Sequence, residues 1–135
     1  MKEFTSDRTF KIWAYTISHN FLIIRSPMLF EDMNGYNEIL NYNIDIEFTA
    51  VIYMNIPSVL SGFKIKELKN NIPDLYKIYD DFKVYEIESN GNKYYIVAGN
   101  YPIGTNKWLF EHRITDMTLQ YDNILTTSRK DDISD

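Results

Sequence analysis

The sequence predicts an α+β fold dominated by antiparallel sheet, a bent sheet or small barrel of about six to seven strands with one or two short helices. Three observations predict it. Apolar and polar residues alternate with period two in several stretches, the marker of a half-buried strand. The dipeptide Asn90-Gly91 stands between two such stretches, where a tight hairpin turn needs residues that accept positive φ. No stretch keeps a helical period for more than about two turns.

The first strand is read in "FKIWAYT", with Trp13, Tyr15 and Ile17 on one face. A two-residue turn at His19-Asn20 then leads into "FLIIRS". In that register Ile17 opposes Leu22, Tyr15 opposes Ile24, and Arg25 lies opposite Ala14, on the face away from Trp13 and Tyr15. This reading makes His19 a turn residue, since His and Asn tolerate positive φ better than most.

After Pro27, "MLFEDMNGYNEILNY" has no steady period and allows a short helix around residues 37–40. The clearest strand is "NIDIEFTAVIY". Ile44, Ile46, Phe48, Ala50 and Ile52 form its core face, while Asn43, Asp45, Glu47 and Thr49 form a wet or partnered face. Pro57 ends it. Ser61-Gly62 is expected to turn the chain into a short strand, "FKIKEL", and a brief helix is expected over residues 73–80 with Leu75, Tyr76 and Tyr79 on one side.

The second hairpin, "FKVYEIESNGNKYYIVAGNY", sets Glu88 against Lys93, Ile87 against Tyr94 and Tyr85 against Ile96. In "NKWLFEHRITDMTLQYD" the alternation changes phase, so a bulge near Thr115-Asp116 is expected. Residues 1–125 are read as a single domain, and the polar "TTSRKDDISD" of residues 126–135 as a frayed tail.

Composition narrows the function classes. The chain has 135 residues with a formal net charge of −5, the wrong sign for a nucleic-acid or anionic-membrane binder. It has no cysteine, which excludes disulfides, thiolate nucleophiles and thiolate metal sites. "MKEFTSDRTF" carries charges where a signal peptide needs an apolar core, and no apolar run approaches a membrane span. A cytoplasmic protein is the expectation.

"GNYPIGTN" has the glycine spacing of a phosphate loop, but Thr105-Asn106 stands where Lys and Ser/Thr are required. The two histidines, His19 and His112, lie far apart without metal-ligand spacing, so no metal and no cofactor is expected.

The candidate site residues are Arg25, Asp45 and Glu47. The two carboxylates share one strand face about 7 Å apart, and Arg25 reaches them if its strand lies alongside. That arrangement suits a structural ion pair, partner recognition or, in a cleft, acid–base chemistry. With 11 tyrosines present, some hydroxyls must reach the surface, where Tyr favours interfaces.

The expectation is therefore a binding domain rather than an enzyme. It would present an acidic, tyrosine-bearing surface to a protein partner, for example in immunity-like neutralisation of a basic protein. The alternative is a small enzyme or small-ligand binder using Arg25, Asp45 and Glu47. Self-association into a homo-oligomer through edge strands or tyrosine faces is a third reading.

Overall fold

A computed structural model describes residues 3–16, 20–29, 32–33, 41–108 and 120–127. Among the described residues nine strands follow one another: β1 (Phe4–Thr16), β2 (Phe21–Ser26), β3 (Asn43–Phe48), β4 (Tyr53–Asn55), β5 (Val59–Leu68), β6 (Lys83–Ser89), β7 (Asn92–Ala98), β8 (Pro102–Asn106) and β9 (Asn123–Thr127). They form one sheet in the order β4-β7-β6-β5-β1-β2-β3-β8-β9, and every pairing is antiparallel. Among the described residues the only helix is a 3₁₀ turn, Asp74–Tyr76. None is long and apolar enough to cross a membrane.

Written as a linear order the sheet is open, with β4 and β9 at its edges. Yet β4 continues β3 and β8 continues β7 in the chain. Across the corner between them, Thr49 bridges Asn100, Gly99 N–H donates to Thr49 O at 2.9 Å, and Ile52 N–H donates to Val97 O at 2.9 Å. The sheet must therefore coil until β3 and β4, far apart in the order, meet end to end. Its concave face holds one core, to which Phe10, Leu22, Ile24, Ile46, Phe48, Ile65, Ile87 and Ile103 contribute.

That corner corrects the reading of residues 43–53 as one strand. Ala50 has φ +52°, a left-handed conformation that breaks the alternation. Ile44, Ile46 and Phe48 face the core as expected, but Ala50 and Ile52 turn outward and Val51 is buried instead. The same break, with its partner at residues 99–101, raises the strand number above the expected six to seven.

The Asn90-Gly91 hairpin has the expected register: Glu88 pairs with Lys93, Ile87 with Tyr94 and Tyr85 with Ile96. Asn90 and Gly91 both have positive φ, +50° and +79°, as this turn demands. The Lys93 ammonium, however, lies 3.9 Å from Glu86, diagonally across the pair. A Cβ at Gly91 would meet nothing within 4 Å, so only backbone strain opposes it. Gly91→Ala is expected to cost about 1–2 kcal/mol, read as a lower urea midpoint at unchanged slope; an unchanged midpoint would contradict the strain argument.

The first hairpin differs from expectation. β1 ends at Thr16 and β2 begins at Phe21, with Thr16 opposite Phe21 and Tyr15 opposite Leu22. Four residues, 17–20, connect the strands instead of two. Asn20 does have positive φ, +50°; His19 lies outside the described residues. A bulge between Ile12 and Ala14 shifts the register again, placing Arg25 opposite Lys11 rather than Ala14.

Two other elements differ. Ser61-Gly62 lies inside β5, where Gly62 takes φ +72° without ending the strand. Thr126 and Thr127, assigned to the tail, complete β9, and Thr127 is buried with its hydroxyl donating to Tyr101 O at 2.8 Å. The helix expected at 37–40 and the bulge at Thr115-Asp116 lie outside the described residues.

On the convex face, the turn after Pro73 seats Tyr76 on Tyr53 and Tyr95, with ring centroids 5.2 and 5.0 Å apart. Tyr79 joins them, completing a second, smaller cluster with Val84 and Val97. Leu75, expected on that side, instead points to solvent. Burial, and then the hydrogen bond with Tyr53, pushes the Tyr76 phenol up to about 12.

A candidate polar site on the convex face

β2 and β3 are buried along their whole length, so both faces of this part of the sheet are covered. One face is the core. The other carries Arg25, Asp45 and Glu47, which are 1%, 0% and 2% exposed. Of the two alternatives expected for this face, wet or partnered, the structure shows the partnered one: these groups are enclosed and Arg25 is paired with Asp45.

The register brings Arg25 directly opposite Asp45, the cross-strand position where opposite charges attract. The guanidinium grips the carboxylate with both arms, Nε to Oδ1 at 2.7 Å and Nη2 to Oδ2 at 2.9 Å. Such a fork is the strongest geometry available to an ion pair. The indole of Trp13 lies under the guanidinium, 5.1 Å from Cζ to the ring centroid. Sequence reading placed Trp13 on the opposite face; the bulge in β1 brings it round.

Asparagines extend the network. Asn106 Nδ2 donates to Asp45 Oδ2 at 2.9 Å, and Asn43 Nδ2 donates to Asn106 Oδ1 at 2.7 Å. Asn43 Nδ2 also donates to Trp108 O, at 2.8 Å, while Asn43 Oδ1 accepts from Met28 N–H at 2.7 Å. Tyr121 donates its hydroxyl hydrogen to Glu47 Oε2 at 2.5 Å. Its ring occupies the space that a side chain at position 104 would need, so Gly104, opposite Asp45 in β8, is what admits it. Trp108 and Tyr121 then pack together with centroids 4.8 Å apart.

Burial raises the Asp45 pKa above the usual carboxylate range, and the charge of Glu47 adds to this; the Arg25 and Asn106 hydrogen bonds act against it. Both carboxylate oxygens of Asp45 are engaged by protein donors. The arrangement therefore holds strands together, and the full burial of Asp45 keeps its carboxylate out of reach of a substrate in solvent.

The sequence singled out Arg25, Asp45 and Glu47, and the structure brings all three onto one enclosed face. It placed Asn43 on this face without giving it a role, and did not single out Asn106, Gly104 or Tyr121 for it. Gly104 was the available signal, since a glycine inside a strand often marks a close approach. Among the described residues no group of three or more His, Asp or Glu could hold a metal; His19 and His112 lie outside those residues. The "GNYPIGTN" segment forms the Gly99 corner and β8. Comparisons with protein-family models, with curated proteins and with solved structures found no match.

Proposed function

We propose that this domain works by binding another protein through an acidic, tyrosine-backed surface centred on residues 74–81. The observation that carries the reading is the exposure of two large apolar side chains there, Leu75 at 66% and Ile78 at 75%. Asp74, Asp80 and Asp81 are exposed around them. One aspartate, Asp74, is paired with Lys77 at 2.8 Å, so the segment keeps a net negative charge.

The base of this knuckle is held by Tyr76 on Tyr53 and Tyr95, which lowers the ordering cost of binding. An apolar tip within an acidic rim fits an apolar pocket on a basic protein. Neutralisation of a basic protein, in the manner of an immunity protein, is one form of this reading, and a cytoplasmic setting accords with the absence of cysteine. The rival, a ligand-binding or catalytic cleft at Arg25, Asp45 and Glu47, is less supported because those groups are enclosed and engaged with one another.

The test is capture of partners from the source cells by the wild-type domain and by a Leu75→Asp/Ile78→Asp variant, with folding checked by circular dichroism. The expected result is a basic protein retained by the wild type, released by salt, and bound about 100-fold more weakly by the variant. Equal retention by both would remove residues 74–81 from the interface.

A further inference from the structure

The strand order ends in β4 on one side and β9 on the other. An edge strand shows a row of backbone N–H and C=O groups that match those of another extended chain, and folds blunt such edges with charge, proline, bulges or cover. β4 is three residues long, and its Tyr53 ring is packed against Tyr76 and Tyr79. β9 is longer, Asn123–Thr127, and among the described residues β8 is its one strand neighbour. Its sequence, NILTT, holds no charge and no proline.

Two large apolar side chains stand on this edge, Ile124 at 45% and Leu125 at 46% exposed. The register with β8 slips here: Gly104 lies opposite Ile124 and Ile103 opposite Thr126, so Leu125 has no opposite residue. Such a bulge re-aims side chains, and Ile124 and Leu125 both line one groove of about 490 Å³ with Tyr42, Thr105, Lys107 and Asp122. One cation and one anion leave this groove without net charge, in a chain whose formal net charge is −5.

We propose that β9 pairs antiparallel with β9 of a second copy of this chain. Antiparallel pairing of a strand with itself is a two-fold, self-complementary contact. With the axis at Leu125, Leu125 of one copy faces Leu125 of the other, and Ile124 faces Thr126, the apolar and β-branched pairs that stabilise a ladder. Charge selects this occupant. A basic partner finds no excess of carboxylates at β9, whereas a second acidic chain meets no like charge there to repel it. The bulge and the short strand keep the contact small, so the dimer is weak and reversible. Residues 74–81 sit on β4 and β7, at the other end of the strand order, so this contact stands or falls independently of the protein-binding reading.

Analytical ultracentrifugation of the full chain from micromolar to millimolar concentration, with amide hydrogen exchange on the same samples, tests this. The expected result is a dimer that grows with concentration, with protection rising at residues 123–126. Added salt should strengthen it, by screening the repulsion between two acidic chains. Leu125→Lys sets two ammonium groups against each other and should weaken the dimer about tenfold, as should Ile124→Lys; Leu75→Asp/Ile78→Asp should leave it unchanged. Both edge side chains are half exposed, and circular dichroism checks that the variants fold; if Leu125→Lys does not, Ile124→Lys decides alone. A chain that stays monomeric throughout, a dimer that salt dissolves, or one that the edge variants leave intact overturns the proposal.

Discussion

Phe48→Ala is expected to cost about 3–5 kcal/mol of folding stability, a large loss for a single truncation in the concave core. Phe48 is fully enclosed at the end of β3. Its ring packs on Tyr85 and Tyr101, with centroids 5.7 and 5.6 Å away, and those two tyrosines meet edge to face at 5.0 Å. Removing Phe48 therefore takes one member from a three-ring cluster drawn from different parts of the chain.

The void cannot easily collapse. Phe48 is followed at once by the Thr49–Asn100 bridge and the left-handed Ala50, which hold the corner, while Leu22 is fixed opposite by the β2–β3 ladder. Phe48→Leu keeps most of the volume and should lose less. Urea titration of both variants measures the difference. A loss below about 1 kcal/mol for Phe48→Ala would show that the corner relaxes around the missing ring.

How much of this was legible in the sequence depends on the range of the interaction. The Asn90-Gly91 hairpin could be read residue by residue, because its turn geometry and alternation are both local. The core positions Ile44, Ile46 and Phe48 were legible for the same reason, up to Phe48. Beyond it, Ala50 carries no mark of its left-handed backbone, which is imposed by the coiling of the whole sheet.

The bulge at Trp13 was similarly silent. Its effect is to turn an indole under Arg25, and no local pattern distinguishes that from plain alternation. Period-two spacing also showed that Asn43, Asp45 and Glu47 share a face, and it allowed Arg25 to bridge to Asp45 or Glu47 if β2 and β3 were neighbours; the register selects Asp45. What it could not show was that the face is covered, because Tyr121 and Trp108 come from elsewhere in the chain and reach it only through Gly104.

That covering decides what Arg25→Ala should do. In an exposed ion pair the loss would be small, about 0.2–1 kcal/mol. Here both partners are enclosed, and truncating Arg25 leaves Asp45 with Asn106 but without its compensating charge. Breaking such a pair from one side costs about 3–5 kcal/mol. The pH dependence identifies the cause. Asp45 has a folded pKa already raised above its ordinary value of 3.8, and losing Arg25 removes the principal groups that hold it down. A carboxyl whose pKa is higher folded than unfolded binds more protons in the native state, so its contribution makes stability fall as pH rises from the unfolded toward the folded value, and level off above it. Arg25→Ala should therefore be least stable near neutrality and recover on acidification more steeply than the wild type. Adding Asp45→Asn to Arg25→Ala should remove the part of that recovery that Asp45 contributes, while Glu47, enclosed on the same face, is kept in all three proteins. Urea titrations of the three proteins between about pH 4 and 7 would read this directly. If Arg25→Ala loses the same stability at every pH, the cost comes from lost packing on Trp13 and not from a stranded carboxylate.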